Sequence, residues 1–335
     1  MSLQSVSVVV PLYNEEENAP LMYEELKKVM ETLDRDYELI FVDDGSTDQT
    51  LEVLVTSAKG DASVRIVEFR RNFGQTAAMA AGLEHTKNDI VITLDGDLQN
   101  DPAEIPKMIA LLEQGYDLVA GWRKDRKDTF FSRRLPSMLA NWLISKTTRV
   151  HLHDYGCTLK VMTGEIAREI KLYGEMHRFI PALADELGAR ITEIPVNHRE
   201  RRFGTSKYGI SRTIRVILDL LTVKFLLGYA KRPIHFFGTA GLASGVVGFL
   251  ILSWLTFQKL FLGYSIGNRP LLSLGVMLGL VGVQFLMFGL LAEVLARTYH
   301  ESQEKKVYVV RRVIEGNQPV ELGISSSSLA VVNGR

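Results

Sequence analysis

The stretch VITLDGDLQND, residues 91–101, decides how the N-terminal half of the chain is read: a short apolar run ends there on two carboxylates, Asp95 and Asp97, with one glycine between them. A buried strand whose tip meets water would end this way, since Asp and Gly are ordinary turn formers. A calcium loop also alternates oxygen ligands, but it requires glycine at its sixth position and glutamate at its twelfth, where this chain has Asn100 and Pro106. The calcium loop is dropped. Besides a polar turn, there remains a pair of acids that holds a divalent ion against a phosphorylated ligand. In that case other strand ends must complete the pocket.

Four more apolar runs, SVSVVVPL, YELIFVDD, SVRIVEF and YDLVAGW, alternate with helical stretches that begin near Glu15, Asp48, Gly74 and Pro102. Continuous apolar strands separated by helices predict a parallel sheet covered on both faces. Ligands of such sheets bind beyond the carboxyl ends of the strands. Those ends carry Pro11, Tyr13, Asn14 and Glu15, then Asp43, Asp44, Gly45 and Ser46, then Arg71, Asn72, Phe73, Gly74 and Gln75. The fourth and fifth runs end on Asp95 with Asp97 and on Gly121, Trp122 and Arg123. Any single cluster could be a helix cap. Five on one rim point instead to a shared pocket whose acids, amides and arginines suit a metal-bound diphosphate.

Over all 335 residues, 39 basic and 39 acidic side chains cancel, so net charge gives no reason to expect nucleic acid or an acidic partner. The one cysteine, Cys157, excludes an internal disulfide and a Cys-rich metal site, fits a reducing compartment, and reads as a small buried apolar residue. SVSVVVPLYNEEEN runs from a few apolar residues straight into acids, so no cleaved signal is expected. His151 and His153, two apart, would point opposite ways on a strand and read as structural or surface residues rather than metal ligands.

No Asp, Glu, Lys or Arg lies between Arg232 and Lys259, nor between Arg269 and Glu293. Each gap exceeds the roughly 20 residues that cross a hydrocarbon core as helix. Two transmembrane helices are expected, at about 234–258 and 270–295. The flanks are basic, with Arg199, Arg201, Arg202, Lys207, Arg212, Arg215, Lys224, Lys231 and Arg232 before the first span and Arg297, Lys305, Lys306, Arg311 and Arg312 after the second. The connecting loop holds only Lys259 and Arg269. Both termini are therefore expected to be cytoplasmic, with the large N-terminal domain tethered to the membrane. Ile210, Ile214, Ile217, Leu221 and Phe225 recur on one side of a helical wheel, with Arg212, Arg215 and Asp219 elsewhere, which predicts an interfacial amphipathic helix. KKVYVVRRVI near the C-terminus reads as a strand suited to edge addition on a neighbouring subunit, and SSSSLAVVNGR as a flexible tail.

Taken in order, VVVPLYNEEEN, FVDDGSTDQT, RRNFGQTAAMAAGL, TLDGDLQNDP and RRFGTSKYG resemble the motifs of family 2 glycosyltransferases over about residues 5–300. Within that family the chain looks like the membrane-tethered polyisoprenyl-phosphate glycosyltransferases, similar to the dolichyl-phosphate mannose synthases and nearest to the bactoprenol glucosyltransferase branch. The resemblance implies an α/β GT-A, Rossmann-like cytosolic domain over 1–206, a juxtamembrane amphipathic helix over 207–231, a transmembrane hairpin within 232–298, and a C-terminal strand and tail over 299–335. It implies a nucleotide-sugar donor, with UDP-glucose the first choice and GDP-mannose, UDP-GlcNAc or UDP-aminoarabinose the alternatives. The acceptor would be a polyprenyl phosphate, the metal Mg²⁺ or Mn²⁺, and the chain a homo-oligomer.

By the same resemblance, Asp97 binds the metal directly, Asp95 contacts ribose or metal, and Gln99 completes the shell. Pro11, Tyr13 and Glu15, with Asp43 or Asp44, form the nucleoside clamp, which Asn72, Gly74 and Gln75 close from the other side. Arg123, Arg133 and Ser137 match positions that hold the acceptor phosphate, Arg202, Ser206 and Lys207 match a phosphate-binding loop, and Asp154 matches an active-site acid, as base or orienting group. Transfer would invert the anomeric centre. An inactive membrane scaffold with the same fold would have lost the paired acids or the loop arginines, and this chain keeps both. A processive synthase would need more spans and a Q-x-x-R-W motif, which is absent.

Overall fold

The computed structural model describes residues 3–124, 150–172, 176–200, 233–302, 308–315 and 318–320. The strands and helices run β1 (Ser5–Leu12), α1 (Ala19–Glu31), β2 (Asp36–Asp43), α2 (Thr50–Ser57), β3 (Val64–Phe69), α3 (Gln75–Glu84), β4 (Ile90–Thr93), α4 (Ile105–Glu113) and β5 (Leu118–Trp122). There follow β6 (Lys160–Thr163), α5 (Gly164–Glu169), α6 (Ile180–Glu186), β7 (Ile191–Pro195), α7 (Pro233–Leu262), α8 (Pro270–Ser302), β8 (Val310–Glu315) and β9 (Gln318–Val320). The chain forms two compact units, Met1–Asp219 with Lys306–Arg335, and Leu220–Lys305.

In the first unit all these strands join one sheet, in the order β7-β5-β6-β4-β1-β2-β3-β8-β9. Of the five runs read as parallel strands, the first four pair in parallel, with β1 between β2 and β4 and β3 beyond β2, while the fifth, β5, has the same direction but no direct pairing with them. Both faces of these strands are covered, which is why the runs do not alternate with polar residues. Val8, Val10, Phe41 and Ile92 share a cluster with Met22 and Leu26 of α1 and Met108 and Leu112 of α4. On the other face α3 lies close: a Cβ on Gly82 would sit 2.2 Å from Val9 Cγ1 and 3.4 Å from Val42 Cγ2. The small-residue run AAMAAG lets this helix approach the sheet.

Two features depart from the expected parallel sheet. β6 inserts antiparallel between β4 and β5, so the fifth apolar run is not the neighbour of the fourth. More consequentially, β8 pairs antiparallel with β3 of the same chain, through Ile66↔Ile314, Val67↔Val313 and Glu68↔Arg312. The expected addition to a neighbouring subunit's sheet is thus corrected. β3 would otherwise be an apolar edge with unpaired backbone groups, and its buried Glu68 receives ion pairs from Arg311 (3.2 Å) and Arg312 of β8.

In the second unit α7 and α8 form an antiparallel hairpin. A Cβ on Gly241 would lie 2.7 Å from the Gly282 carbonyl oxygen, and one on Gly248 would lie 2.8 Å from that of Gly275, so glycine permits backbone-to-backbone contact. Ser244 Oγ donates to the Leu278 carbonyl at 2.9 Å. Phe236–Leu262 and Pro270–Ala292 are each long and apolar enough to cross a membrane. Their outer faces expose Leu242, Phe249, Trp254, Met277, Leu280 and Phe288. The expected amphipathic helix at 207–231, the RRFGTSKYG loop (Arg202, Ser206, Lys207), Arg133, Ser137 and the last residues lie outside the described residues.

Candidate active site

The chain order reverses between β1 and β4, the place where open α/β sheets bind ligands. A cleft of about 360 Å³ opens there at the carboxyl ends, lined by Pro11, Tyr13, Glu15, Asp44, Asn72, Gly74, Gln75, Asp95 and Asp97 together with Leu12, Ala78 and Gly96. Nine of the residues singled out from the sequence therefore meet in one cleft.

The loops around it are tied to each other rather than to their own strands. Asn14, in the left-handed region at φ 52, accepts from the Thr47 amide at 2.8 Å and donates its own amide to Ser46 Oγ at 3.0 Å. The Glu15 amide donates to Thr50 Oγ1 at 2.8 Å. Asp44 binds across the cleft, its two oxygens accepting from the amides of Phe73 (2.7 Å) and Gly74 (2.9 Å). Gly45 makes this crossing possible, because a Cβ there would stand 2.3 Å from the backbone of Arg71. Asp43 turns inward to accept from the Ser46 amide at 3.2 Å, and burial raises the pKa of both Asp43 and Asp44 above the usual carboxylate value.

The paired acids sit at the tip of β4. Gln75 Nε2 donates to Asp95 Oδ1 at 2.6 Å, and Asp97 Oδ1 accepts from the Gln99 amide at 3.2 Å. The glycine between them is sterically required: a Cβ on Gly96 would fall 2.2 Å from Leu12 Cδ2. Burial first, and the charge of Asp97 second, push the Asp95 carboxyl up to about 6. Among the described residues no group of three or more His, Cys, Asp or Glu side chains could hold a metal ion, so a cation beside Asp95 and Asp97 would need further ligands of another kind, from Gln99, the donor or water.

Arg123 and Asp154 form a bidentate ion pair, with Nε to Oδ2 at 2.6 Å and Nη2 to Oδ1 at 2.9 Å. Both side chains are largely buried. The Asp154 carboxylate holds Arg123 well above the usual guanidinium range, against the opposing effect of burial. Asp154 is therefore engaged as the anchor of Arg123. His153 pairs with Glu193 and stacks on Trp122 at 4.3 Å, and Cys157 is fully buried, as the sequence reading of both expected.

Three residues escaped the sequence reading. Thr158 favours the charged form of Asp95, against burial and Asp97, and accepts from Asn100 Nδ2 at 2.9 Å. Lys160, fully buried, donates its ammonium to the Cys157 carbonyl, and burial lowers its pKa. His177 Nδ1 meets Thr76 Oγ1 at 2.7 Å at the start of α3, and burial depresses its pKa to about 3. A lone lysine inside the apolar run CTLKVM was the available signal for the second of these; the others lie in stretches with no distinguishing pattern.

Residues 7–170 match the family model described as Glycosyl transferase family 2. A dodecaprenyl-phosphate galacturonate synthase of Rhizobium johnstonii is 49% identical, covering 92% of this chain and 93% of its own length. An undecaprenyl-phosphate 4-deoxy-4-formamido-L-arabinose transferase of Edwardsiella ictaluri is 37% identical over 96% of this chain and 97% of its own. Among solved structures, glucosyl-3-phosphoglycerate synthase of Mycobacterium tuberculosis with Mn²⁺ and UDP-glucose aligns at TM-score 0.53 and 21% identity, over 66% of this chain and 79% of that one. Mannosyl-3-phosphoglycerate synthase of Rubrobacter xylanophilus aligns at TM-score 0.54 and 15% identity, over 66% and 74%. The fold of the first unit is that of these GT-A proteins.

Proposed function

We infer the reaction from one premise: this chain belongs to glycosyltransferase family 2, in its polyprenyl-phosphate branch, and is an enzyme. It moves a sugar from a nucleotide donor to a polyprenyl phosphate at the cytosolic face of a membrane. The observation that carries this reading is the cleft where Tyr13, Glu15, Asp44 and Gln75 face Asp95 and Asp97. End-to-end similarity to two polyprenyl-phosphate transferases, through the two long apolar helices, supports the acceptor and the membrane. The pairing of β8 with β3 supports the orientation: residues on both sides of the hairpin share one sheet, hence one compartment, and basic flanks favour the cytosol.

The donor's nucleoside would lie along Pro11, Tyr13 and Glu15, closed by Asn72 to Gln75, with Asp44 holding that loop in place. Asp95 and Asp97 fit a divalent cation, because hard oxygen donors suit Mg²⁺ or Mn²⁺ and a cation offsets the burial and, after it, the repulsion from Asp97 that raise Asp95. Bound there, it would neutralise the charge developing on the departing nucleoside diphosphate. The acceptor phosphate is already anionic near neutral pH and needs positioning more than deprotonation. That fits an Asp154 engaged with Arg123 rather than poised as a base. Arg123, fixed by this ion pair, is a candidate to orient the phosphate, with Arg133, Ser137, Arg202, Ser206 and Lys207 as the further residues of that role.

The sugar is the finer question. The 49% relative is named for galacturonate and the 37% relative for 4-deoxy-4-formamido-L-arabinose. A galacturonate donor therefore ranks ahead of the glucose expected from the sequence, with aminoarabinose-type donors next. Purified protein incubated with undecaprenyl phosphate and radiolabelled UDP-galacturonate, UDP-4-deoxy-4-formamido-L-arabinose, UDP-glucose, GDP-mannose or UDP-GlcNAc, followed by lipid extraction, tests this directly. Label in the lipid fraction with one donor is expected; none with any donor would favour the inactive scaffold. Acceptor and leaving group on opposite sides of the sugar give single displacement, so proton NMR of the product should show a β-linked lipid phosphate from an α-linked donor. An α-linked product would overturn that arrangement.

A further inference from the structure

Gln284 lies in α8, three residues beyond Val281 at the middle of the apolar stretch Pro270–Ala292, a displacement of about 4.5 Å along a helix axis. Its side chain is exposed and makes no hydrogen bond among the described residues. Several other polar side chains of the hairpin have partners within it. Ser244 bonds the Leu278 carbonyl, Thr239 the Phe236 carbonyl, and Gln258 meets Arg269. Around Gln284, at the spacings that share one helix face, stand Met277, Leu280, Met287, Phe288 and Leu291, all exposed. The face turned to α7 is a different one, formed around Gly275, Leu278 and Gly282.

We propose that a second copy of this chain packs on the Gln284 face of α8, with the two Gln284 amides hydrogen-bonded to each other across a two-fold axis. The inference rests on the reading of α7 and α8 as membrane spans. Hydrocarbon offers the amide no partner, and neither lipid tails nor a polyprenyl chain can supply one. A primary amide carries both donor and acceptor, so it is complementary to itself. An isologous contact, which places the same residue opposite itself, satisfies both copies at once. The surrounding stripe of Met, Leu and Phe supplies the packing that such a contact needs.

The test uses full-length protein labelled at the C-terminus with donor or acceptor dye and reconstituted in phosphatidylethanolamine–phosphatidylglycerol vesicles over a range of protein-to-lipid ratios. Energy transfer should fall on dilution with a midpoint that Gln284→Leu moves to about 3- to 30-fold higher density, the range for one interhelical side-chain hydrogen bond. Gln284→Asn should restore much of the shift, while Phe249→Leu, at another exposed position, should leave the midpoint unchanged. A Gln284→Leu midpoint equal to the parent's overturns the proposal, as does a parent that is monomeric at every density, which would leave the face to a different protein. Extraction of the protein from vesicles by alkaline carbonate would instead overturn the membrane reading itself, so the two failures are distinct.

Discussion

Tyr308 stacks on Phe69 with ring centroids 5.0 Å apart and planes 14° from parallel. Phe69 in turn meets Phe73 edge-on at 5.7 Å, and the Phe73 amide donates to Asp44. The hydroxyl of Tyr308 also bonds Glu84 at the end of α3. The segment that follows the second long helix therefore buttresses the Asn72–Gln75 loop at the edge of the cleft. An aromatic pair adds about 0.5–1.5 kcal/mol beyond its buried area. Tyr308→Leu should weaken nucleotide binding about 2- to 10-fold by calorimetry, and Tyr308→Phe less. Unchanged affinity in Tyr308→Leu would show that the loop stands without this support.

Asp97→Ala should lower sugar transfer about 100-fold or more, the scale on which loss of one group stabilising transition-state charge is felt. Asp97 sits at a strand tip and not in the core, so the thermal midpoint should stay close to the parent's. Full turnover with an unaltered dependence on added Mn²⁺ would remove Asp97 from the metal.

Asp154→Ala should destabilise the protein by about 3–5 kcal/mol, because it leaves the Arg123 charge buried and unpaired. The double change Asp154→Ala with Arg123→Met should recover part of that loss in urea melts. Asp154→Asn should keep the acidic limb of the pH–rate profile. Disappearance of that limb would instead mark Asp154 as the general base.

His177 gives a pH signature. Its pKa is lowered from 6.5 to about 3 in the folded protein, so the unfolded chain binds the extra proton between those values. Stability is then full above the unfolded pKa and declines as pH falls, by up to about 1.4 kcal/mol per pH unit. His177→Gln, which keeps a polar partner for Thr76, should show a shallower loss between pH 6 and 4 in urea melts. Parallel curves for parent and variant would place the titration elsewhere.

The cleft was legible because strand-end residues announce themselves locally: TLDGDLQ and FVDDGS each place acids after an apolar run, and topology alone brings such ends to one rim. Gly96 was legible as a turn former but not as the residue that clears Leu12, which depends on a neighbour more than eighty positions away. The partner of β8 was misread for the same reason. VVRRVIE suits any exposed sheet edge, and only the buried Glu68 on β3 selects this one. Arg123 and Asp154 were each picked out as functional, yet their pairing is a tertiary fact, and it changes what Asp154 is available to do.

The chain order gives β8 a further consequence. Translation delivers Val64–Phe69 early and Val310–Glu315 only after both long helices have left the ribosome. Throughout that interval β3 has a bare margin and Glu68 lacks its two arginines. β8 is thus a built-in delay: the sheet that carries the cleft reaches its final form only after the hairpin has been synthesised, which ties completion of the cleft's support to the making of the two long apolar helices.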